Sequence, residues 1–321
     1  MKTPYPSLIE RVAIRARAYQ DEADYARLRY LLVESYCLSG AQFNWQLDRL
    51  EALRFGRHAQ EELTGARSWP QAIRLWEAEG GKFVGAVLNE GEGDFFLQIH
   101  PHYRHIENDM LAWLEGHHAA LRPTDAAPWP VYTYAYENDA PRHALLARRG
   151  YVNLGRSEAY RTRSLDAPIA TPALPEGYAV RTLALDEPEE LARLAETKTL
   201  TFPHTRWTAA TVRVVALAPT YRPDLDFVVA TPDGTLAAFC TIWYDSVNRI
   251  GVFEPVGTHP AHRRRGLSSA MMLEAMRRVK ALGAKKVHVN TGADYYANAL
   301  YESLGFSSVE YDTRWQKDLA V

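Results

Sequence analysis

The chain repeats itself, and a repeat constrains the fold more than any single residue does. Ala299-Leu-Tyr-Glu-Ser-Leu-Gly-Phe306 matches the earlier Ala144-Leu-Leu-Ala-Arg-Arg-Gly-Tyr151, and each reads as a short helix stopped by glycine. His259-Pro-Ala-His-Arg263 matches His100-Pro-His-Tyr-Arg104, each between a strand-like run and an apolar helix pattern. A third match opens each half: Val12-Ala-Ile-Arg15 ahead of Asp21-Glu22, and Tyr178-Ala-Val-Arg181 ahead of Asp186-Glu187. Between the halves, Pro168, Pro172 and Pro175 block both helix and central strand. The expected organisation is therefore an N-terminal unit at 1–165, a proline-rich linker at 166–176 and a C-terminal unit at 177–321.

Composition supports two cored units. The chain has 321 residues, 47% hydrophobic and 24% charged, which is ordinary for globular protein. Its formal net charge of −2 gives no positive field that would recruit nucleic acid or an anionic membrane. Met1 to Glu10 lacks the apolar run of a signal peptide, and no stretch of about 18 apolar residues occurs, so a cytoplasmic protein is expected. Cys37 and Cys240 are far apart, without metal or redox spacing, and are expected to be core thiols. His100, His102, His105, His117 and His118 cluster in sequence, but no helical His-x-x-x-His pair or nearby cysteine completes a site. No metal is expected.

The C-terminal half gives the cleaner pattern. Asp226–Ala230 and Leu236–Tyr244 read as strands joined by a turn at Pro232-Asp233-Gly234. A third strand follows from Arg249 to Thr258. Leu267, Met271, Ala275, Val279 and Leu282 then form the stripe of an amphipathic helix that Gly283 ends. Lys286–Asn290 alternates as another strand, and Tyr296–Leu304 reads as a helix stopped by Gly305. The order ββ, β, helix, β, helix, β is that of a mixed α/β layer.

The chemistry concentrates at Val256-Gly-Thr-His-Pro-Ala-His-Arg-Arg-Arg-Gly-Leu-Ser-Ser-Ala270, where a strand runs through a basic loop into a helix. The first N–H groups of a helix lack intrahelical partners and lie at its positive end, so they can hold a pyrophosphate. Gly266 allows close backbone approach, Ser268 and Ser269 can donate hydroxyls, and Arg263, Arg264 and Arg265 add charge-assisted donors. A merely solvated basic surface is the alternative. In the strand, Pro255 and Gly257 predict a bulge or splay whose open backbone would suit an amide-rich ligand. Glu254 shares a face with Val256 and Thr258 and is a candidate general base, the alternative being a structural carboxylate.

Arg263-x-x-Gly266-x-Ser268, preceded by Thr258-His-Pro and followed after a strand by Ala299-Leu-Tyr-Glu-Ser-Leu-Gly-Phe306, resembles the signature of the GNAT N-acetyltransferase superfamily. The tandem layout is similar to that of the mycothiol synthases, where the C-terminal copy is likewise the catalytic one. The resemblance implies an α/β fold of two tandem GNAT-like domains, each a mixed, mostly antiparallel sheet flanked by helices. It implies acetyl-CoA as co-substrate, with pyrophosphate on the loop after Arg263, pantetheine on the backbone of Val256 and Thr258, and Asn290 among the cofactor-binding residues. It implies direct acyl transfer to an amine, with Tyr301 protonating the departing thiolate. A phenol, with an ordinary pKa about 10, can serve as that acid at neutral pH. The alternative for Tyr301 is a core tyrosine. Two residues depart from the pattern: Ser268 stands where Gly or Ala is usual, and Asp294 where Asn often precedes the tyrosine helix.

The N-terminal copy lacks these features. Aligning His100-Pro101 with His259-Pro260 puts Glu107 opposite Gly266, and aligning the glycine-stopped helices puts Leu146 opposite Tyr301. One working site per chain is expected, in the C-terminal half. Trp45, Trp69, Trp76, Trp113 and Trp129 are either core or the wall of an apolar acceptor pocket. The expected partner is a small-molecule amine, and the expected state a monomer whose halves pack as a pseudo-dimer. The competing reading is a non-catalytic module that binds or senses acetyl-CoA or CoA.

Overall fold

The computed structural model describes residues 13–58, 69–91, 93–122 and 129–319. Val12, part of the opening repeat, lies outside them. In the N-terminal half the elements are β1 (Ile14–Ala18), α1 (Glu22–Ser39), α2 (Leu47–Glu51), β2 (Ile73–Ala78), β3 (Phe83–Gly91), β4 (Asp94–Ile99), α3 (Glu107–Ala120), β5 (Pro130–Tyr136), α4 (Ala140–Arg148) and β6 (Val152–Ser164). The C-terminal half runs β7 (Ala179–Thr182), α5 (Pro188–Thr201), α6 (Ala209–Val215), β8 (Asp226–Ala230), β9 (Leu236–Asp245), β10 (Ile250–Thr258), α7 (Leu267–Ala281), β11 (Lys286–Gly292), α8 (Asn298–Ser303) and β12 (Ser308–Asp318). The proline-rich segment between them carries neither helix nor strand. The last short helix starts two residues later than its sequence pattern suggests, after a turn at 295–297.

The repeat is structural as well as textual. On β7, Arg181 makes a bidentate pair with Glu190 of α5, whose carboxylate also accepts from the Ala184 N–H. On β1, Arg17 makes the same pair with Asp24 of α1, which accepts from the Gln20 N–H. The counterpart of Arg181 is thus Arg17, not Arg15 as the textual match had it. His100 and His259 each accept, through Nδ1, from the N–H two residues on, starting a short turn whose first residue is proline. The glycine-stopped helices end identically, Tyr151 N–H donating to Leu146 O and Phe306 N–H to Tyr301 O.

The two halves do not build separate sheets. All twelve strands form one sheet in the order β1-β2-β3-β4-β5-β12-β6-β11-β10-β9-β8-β7. Every pairing is antiparallel except β4 with β5 and β10 with β11. The last strand of each half lies beside the fifth strand of the other: β12 pairs with β5, and β6 with β11. They meet in the middle, where Val309 faces Arg161. Hydrophobic clusters cover the sheet in both halves. In the C-terminal half one is built on Leu267, Met271, Ala275 and Val279 of α7 with Tyr301 and Leu304, and another on Leu191 and Leu194 of α5. Burying each such aliphatic side chain is worth roughly 1.5–3 kcal/mol, so the α7 stripe read from sequence is also what docks this helix. Leu282 is the exception, left partly exposed beyond the helix end.

Cys240 is buried as expected. Cys37 is not a core thiol, because its position on α1 faces solvent. Trp45, Trp69 and Trp76 belong to the core, Trp113 packs on Trp76 and stacks with His117, and Trp129 stacks on His118.

Candidate active site

The parallel pair β10 and β11 is registered at Ile250, Gly251 and Val252 and then parts. Against β9, the register of β10 shifts between Phe253 and Val256. This is the expected splay and bulge. His259 donates its N–H across to Ala237 O beside β9. Since successive residues of a strand point their backbone groups to opposite sides, Thr258 and Val256 aim theirs into the gap. The gap opens into a cavity of about 500 Å³.

Arg263, Arg264, Arg265, Gly266, Ser268 and Ser269 line this cavity. Arg264 (φ 64°) and Gly266 (φ 74°) are both left-handed, so the loop curls and α7 begins from a glycine N-cap. Such αL turns point successive N–H groups to one side, a shape suited to anions. Thr258 Oγ1 and Ser268 Oγ are hydrogen-bonded, which ties the strand end to the first turn of α7. The serine at 268 is therefore accommodated. The three guanidinium groups are exposed, and Arg263 Nε donates to Thr258 O. Among the described residues none of the three pairs with a carboxylate. Free helical N–H groups, αL backbone and unpaired arginines together fit a pyrophosphate.

Glu254 and Tyr301 line the same cavity. The Glu254 backbone carbonyl accepts from Trp243 Nε1 at 2.6 Å, which fixes the strand at the bulge. Burial, aided by the negative charges of Asp48 and Glu158, pushes the Glu254 carboxyl up to about 8, against the pull of Arg49 and Lys198. Tyr301 is 5% exposed within the hydrophobic cluster and still lines the cavity. Burial, then the Glu254 charge, raises its phenol well above the ordinary value. Asn290 lines the cavity and donates to Glu158 of β6 at 3.1 Å.

The cavity thus gathers every candidate residue named from sequence. It also gathers some that sequence reading missed. Tyr295 and Tyr296 stand exposed at its edge with ring centroids 4.3 Å apart, and Thr201 and Phe202 close it from α5. The adjacent tyrosines were visible in the sequence, but nothing local ties them to the loop at 263. The N-terminal half supports this site too. Arg161 of β6 donates to Asn298 and Glu302 of α8 at 2.7 Å each, and Arg163 donates to Leu304 O, so β6 grips the helix that carries Tyr301.

The corresponding place in the N-terminal half is filled from within. Glu107 opens α3 with its carboxylate buried between Arg104 and Arg142, and Asp139 shares the same arginines. The arginines hold Glu107 below its ordinary pKa despite burial. Asn44 occupies the strand gap, its side-chain amide accepting from Ile99 N–H at 2.8 Å and donating to Ile99 O at 2.7 Å. Leu146 is fully buried where the other half has Tyr301. Of the clustered histidines, His100 caps its turn, and His117 and His118 stack on tryptophans. Among the described residues no group of His, Cys, Asp or Glu could hold a metal.

Comparison with known proteins bears on the fold and on the C-terminal segment. Residues 190–306 match the Acetyltransferase (GNAT) family. A mycothiol acetyltransferase of Thermobispora bispora is 30% identical over 190 residues, covering 56% of this chain and 62% of that protein. The chain therefore aligns with somewhat under two thirds of that relative's length. A tandem GNAT protein from the clavulanic acid biosynthesis pathway has the same fold with a TM-score of 0.67, 16% identity and coverage of 96% and 99% of the two chains. A GCN5-related N-acetyltransferase from Sphaerobacter thermophilus follows with a TM-score of 0.63, 20% identity and 96% coverage of both. No helix among the described residues is long and apolar enough to cross a membrane. Residues 190–306 thus match the GNAT acetyltransferase family, and the chain as a whole shares its fold with solved tandem GNAT proteins.

Proposed function

We propose that the chain is an acetyl-CoA-dependent N-acetyltransferase acting on a primary amine, with one working site in the 177–321 unit and a degenerate partner unit at 1–165. The observation that carries this reading is one cavity lined both by the basic loop that opens α7 and by Glu254 and Tyr301. Arg263, Arg264, Arg265 and the N–H groups opening α7 would hold the pyrophosphate, while the open backbone of Val256 and Thr258 would pair with the pantetheine amides. When bound, the cofactor supplies the activated acetyl thioester.

Glu254 takes the proton that the attacking amine loses as the new C–N bond forms, directly or through one water. Its raised pKa suits it to that task near neutral pH. Tyr301, whose raised pKa keeps it protonated, gives its proton to the sulfur as the C–S bond breaks. Return of the proton from Glu254 to Tyr301 resets both groups, so one amine proton ends on the thiol. Neither cysteine has a part, in keeping with direct transfer in a ternary complex. The proposed acceptor is a small molecule and the proposed state a monomer. The test is thiol release from acetyl-CoA across a panel of amines. Amine-dependent release supports the reading, and binding of acetyl-CoA without release for any amine would leave only a binding module.

A further inference from the structure

Beside the cavity, between the halves, lies a row of small spaces of about 20 Å³ each, which Trp45 lines throughout. Asn290 lines both the main cavity and the middle one of these spaces, so the two are neighbours across one side chain. Asp48, from α2 of the N-terminal half, lines two of the three. It is 5% exposed, and its Oδ1 has no hydrogen-bond partner among the described residues. The neighbouring cation is already claimed: Arg49 donates to both oxygens of Glu90 at 2.9 and 3.2 Å and to Glu158 at 3.3 Å. His288, lining the middle space, also has a buried unpartnered atom, Nε2. Burial drives its imidazole down to about 3, so it brings no charge to balance Asp48.

Burial raises the Asp48 carboxyl to about 6 against the backbone N–H and the charge of Arg49, and a buried carboxylate left without an ion-pair partner gains from a cation placed on its open oxygen. A space of about 20 Å³ admits one group the size of water or ammonium and excludes a ring or a sugar. Neither Glu254 nor Asp48 forms an ion pair among the described residues, although Arg49 pulls on both and Lys198 on Glu254, and the two lie near enough that the charge of Asp48 raises the pKa of Glu254. Resting on the acetyltransferase reading above, we infer that Asp48 is a specificity residue for the acceptor: it receives the far ammonium of a slender alkyl diamine whose near amine meets the thioester beside Glu254. The N-terminal half then supplies part of the acceptor site rather than a mere scaffold.

The test compares n-butylamine with 1,4-diaminobutane and 1,3-diaminopropane as acceptors for the full chain, by thiol release at saturating acetyl-CoA. A charge-assisted contact at Asp48 should give a diamine a kcat/KM about 10-fold or more above the monoamine, mainly through KM. Asp48→Asn should collapse that ratio toward one. Calorimetric binding of acetyl-CoA and the melting temperature verify that the variant is folded. Equal use of mono- and diamines by the unmodified protein, or a preference that survives Asp48→Asn, would overturn the role of Asp48 and leave the acetyltransferase reading standing. Absence of thiol release with any amine, while acetyl-CoA still binds, would overturn that reading and this inference with it.

Discussion

Asn44 holds both backbone groups of Ile99, at 2.8 and 2.7 Å. Ile99 precedes His100 as Thr258 precedes His259, so an internal amide fills, in the N-terminal half, the gap that the C-terminal half leaves open. Glu107 is locked between Arg104 and Arg142, where its carboxylate opposes a phosphate as Asn44 opposes an amide chain. One acetyl-CoA per chain is therefore expected in calorimetric titration. Two sites of similar affinity would mean that Asn44 and Glu107 yield to the ligand.

Gly266 has open space around a would-be Cβ but a φ of +74°, so its requirement is conformational. Replacing it with Glu imports the N-terminal solution without Arg104 or Arg142 to balance the carboxylate. Strained backbone and repulsion of phosphate at a helix N-terminus then act together. Acetyl-CoA affinity should fall by at least about 100-fold, since roughly 1.4 kcal/mol is a factor of ten, while circular dichroism stays unchanged. Retained affinity would remove the loop from the binding site.

Much of this candidate site was legible in sequence because the residues that line the cavity are local to one another. Arg263, Gly266 and Ser268 lie within one loop and one helical turn, and Tyr301 lies four residues ahead of its stop glycine. The exchange of β6 and β12 was not legible. Val152–Ser164 and Ser308–Asp318 carry no mark of which strand they will pair with, since pairing is chosen by surfaces far away in sequence. Asn44 is equally silent, because its partner Ile99 is 55 residues on. A boundary drawn at the prolines therefore marks the break in chain pattern but not in the sheet.

The exchange has its own consequence. A fragment of residues 177–321 lacks β6, leaving β11 an open edge and removing Arg161 and Arg163 from α8. Unpaired edges associate, so the fragment is expected to aggregate or to lose cooperative unfolding. A soluble, cooperatively melting fragment with full acetyl-CoA affinity would show that β6 is dispensable to the site.

Glu254 links pH to both activity and stability. As a base it works deprotonated, so kcat/KM should climb as pH passes about 8, and Glu254→Gln should abolish that limb along with most turnover. For stability the sign is opposite. The folded protein holds this proton more tightly than the unfolded chain, whose value is 4.5, so the carboxylate costs stability progressively as pH rises from 4.5 to 8. The melting temperature of Glu254→Gln should gain on the unmodified protein across that window and level off above it. A constant difference at all pH values would show an unshifted, solvated carboxylate.

Tyr301 offers the cleanest separation of binding from chemistry. Its ring packs edge-on against Phe306 at 5.9 Å and sits in the same cluster as Leu304. Phenylalanine preserves that packing, so the melting temperature should hardly move. The hydroxyl makes no hydrogen bond among the described residues that would be lost with it. Only the proton for the departing thiolate disappears. Turnover should fall by roughly 10²- to 10⁴-fold, the span for losing one positioned general acid, with acetyl-CoA affinity nearly constant. Water can supply a proton less effectively, which is why a residual rate remains. The decisive measurement is kcat on the best amine of the panel. Turnover equal to that of the unmodified protein would make Tyr301 a packing residue, and the thiolate would then leave without help.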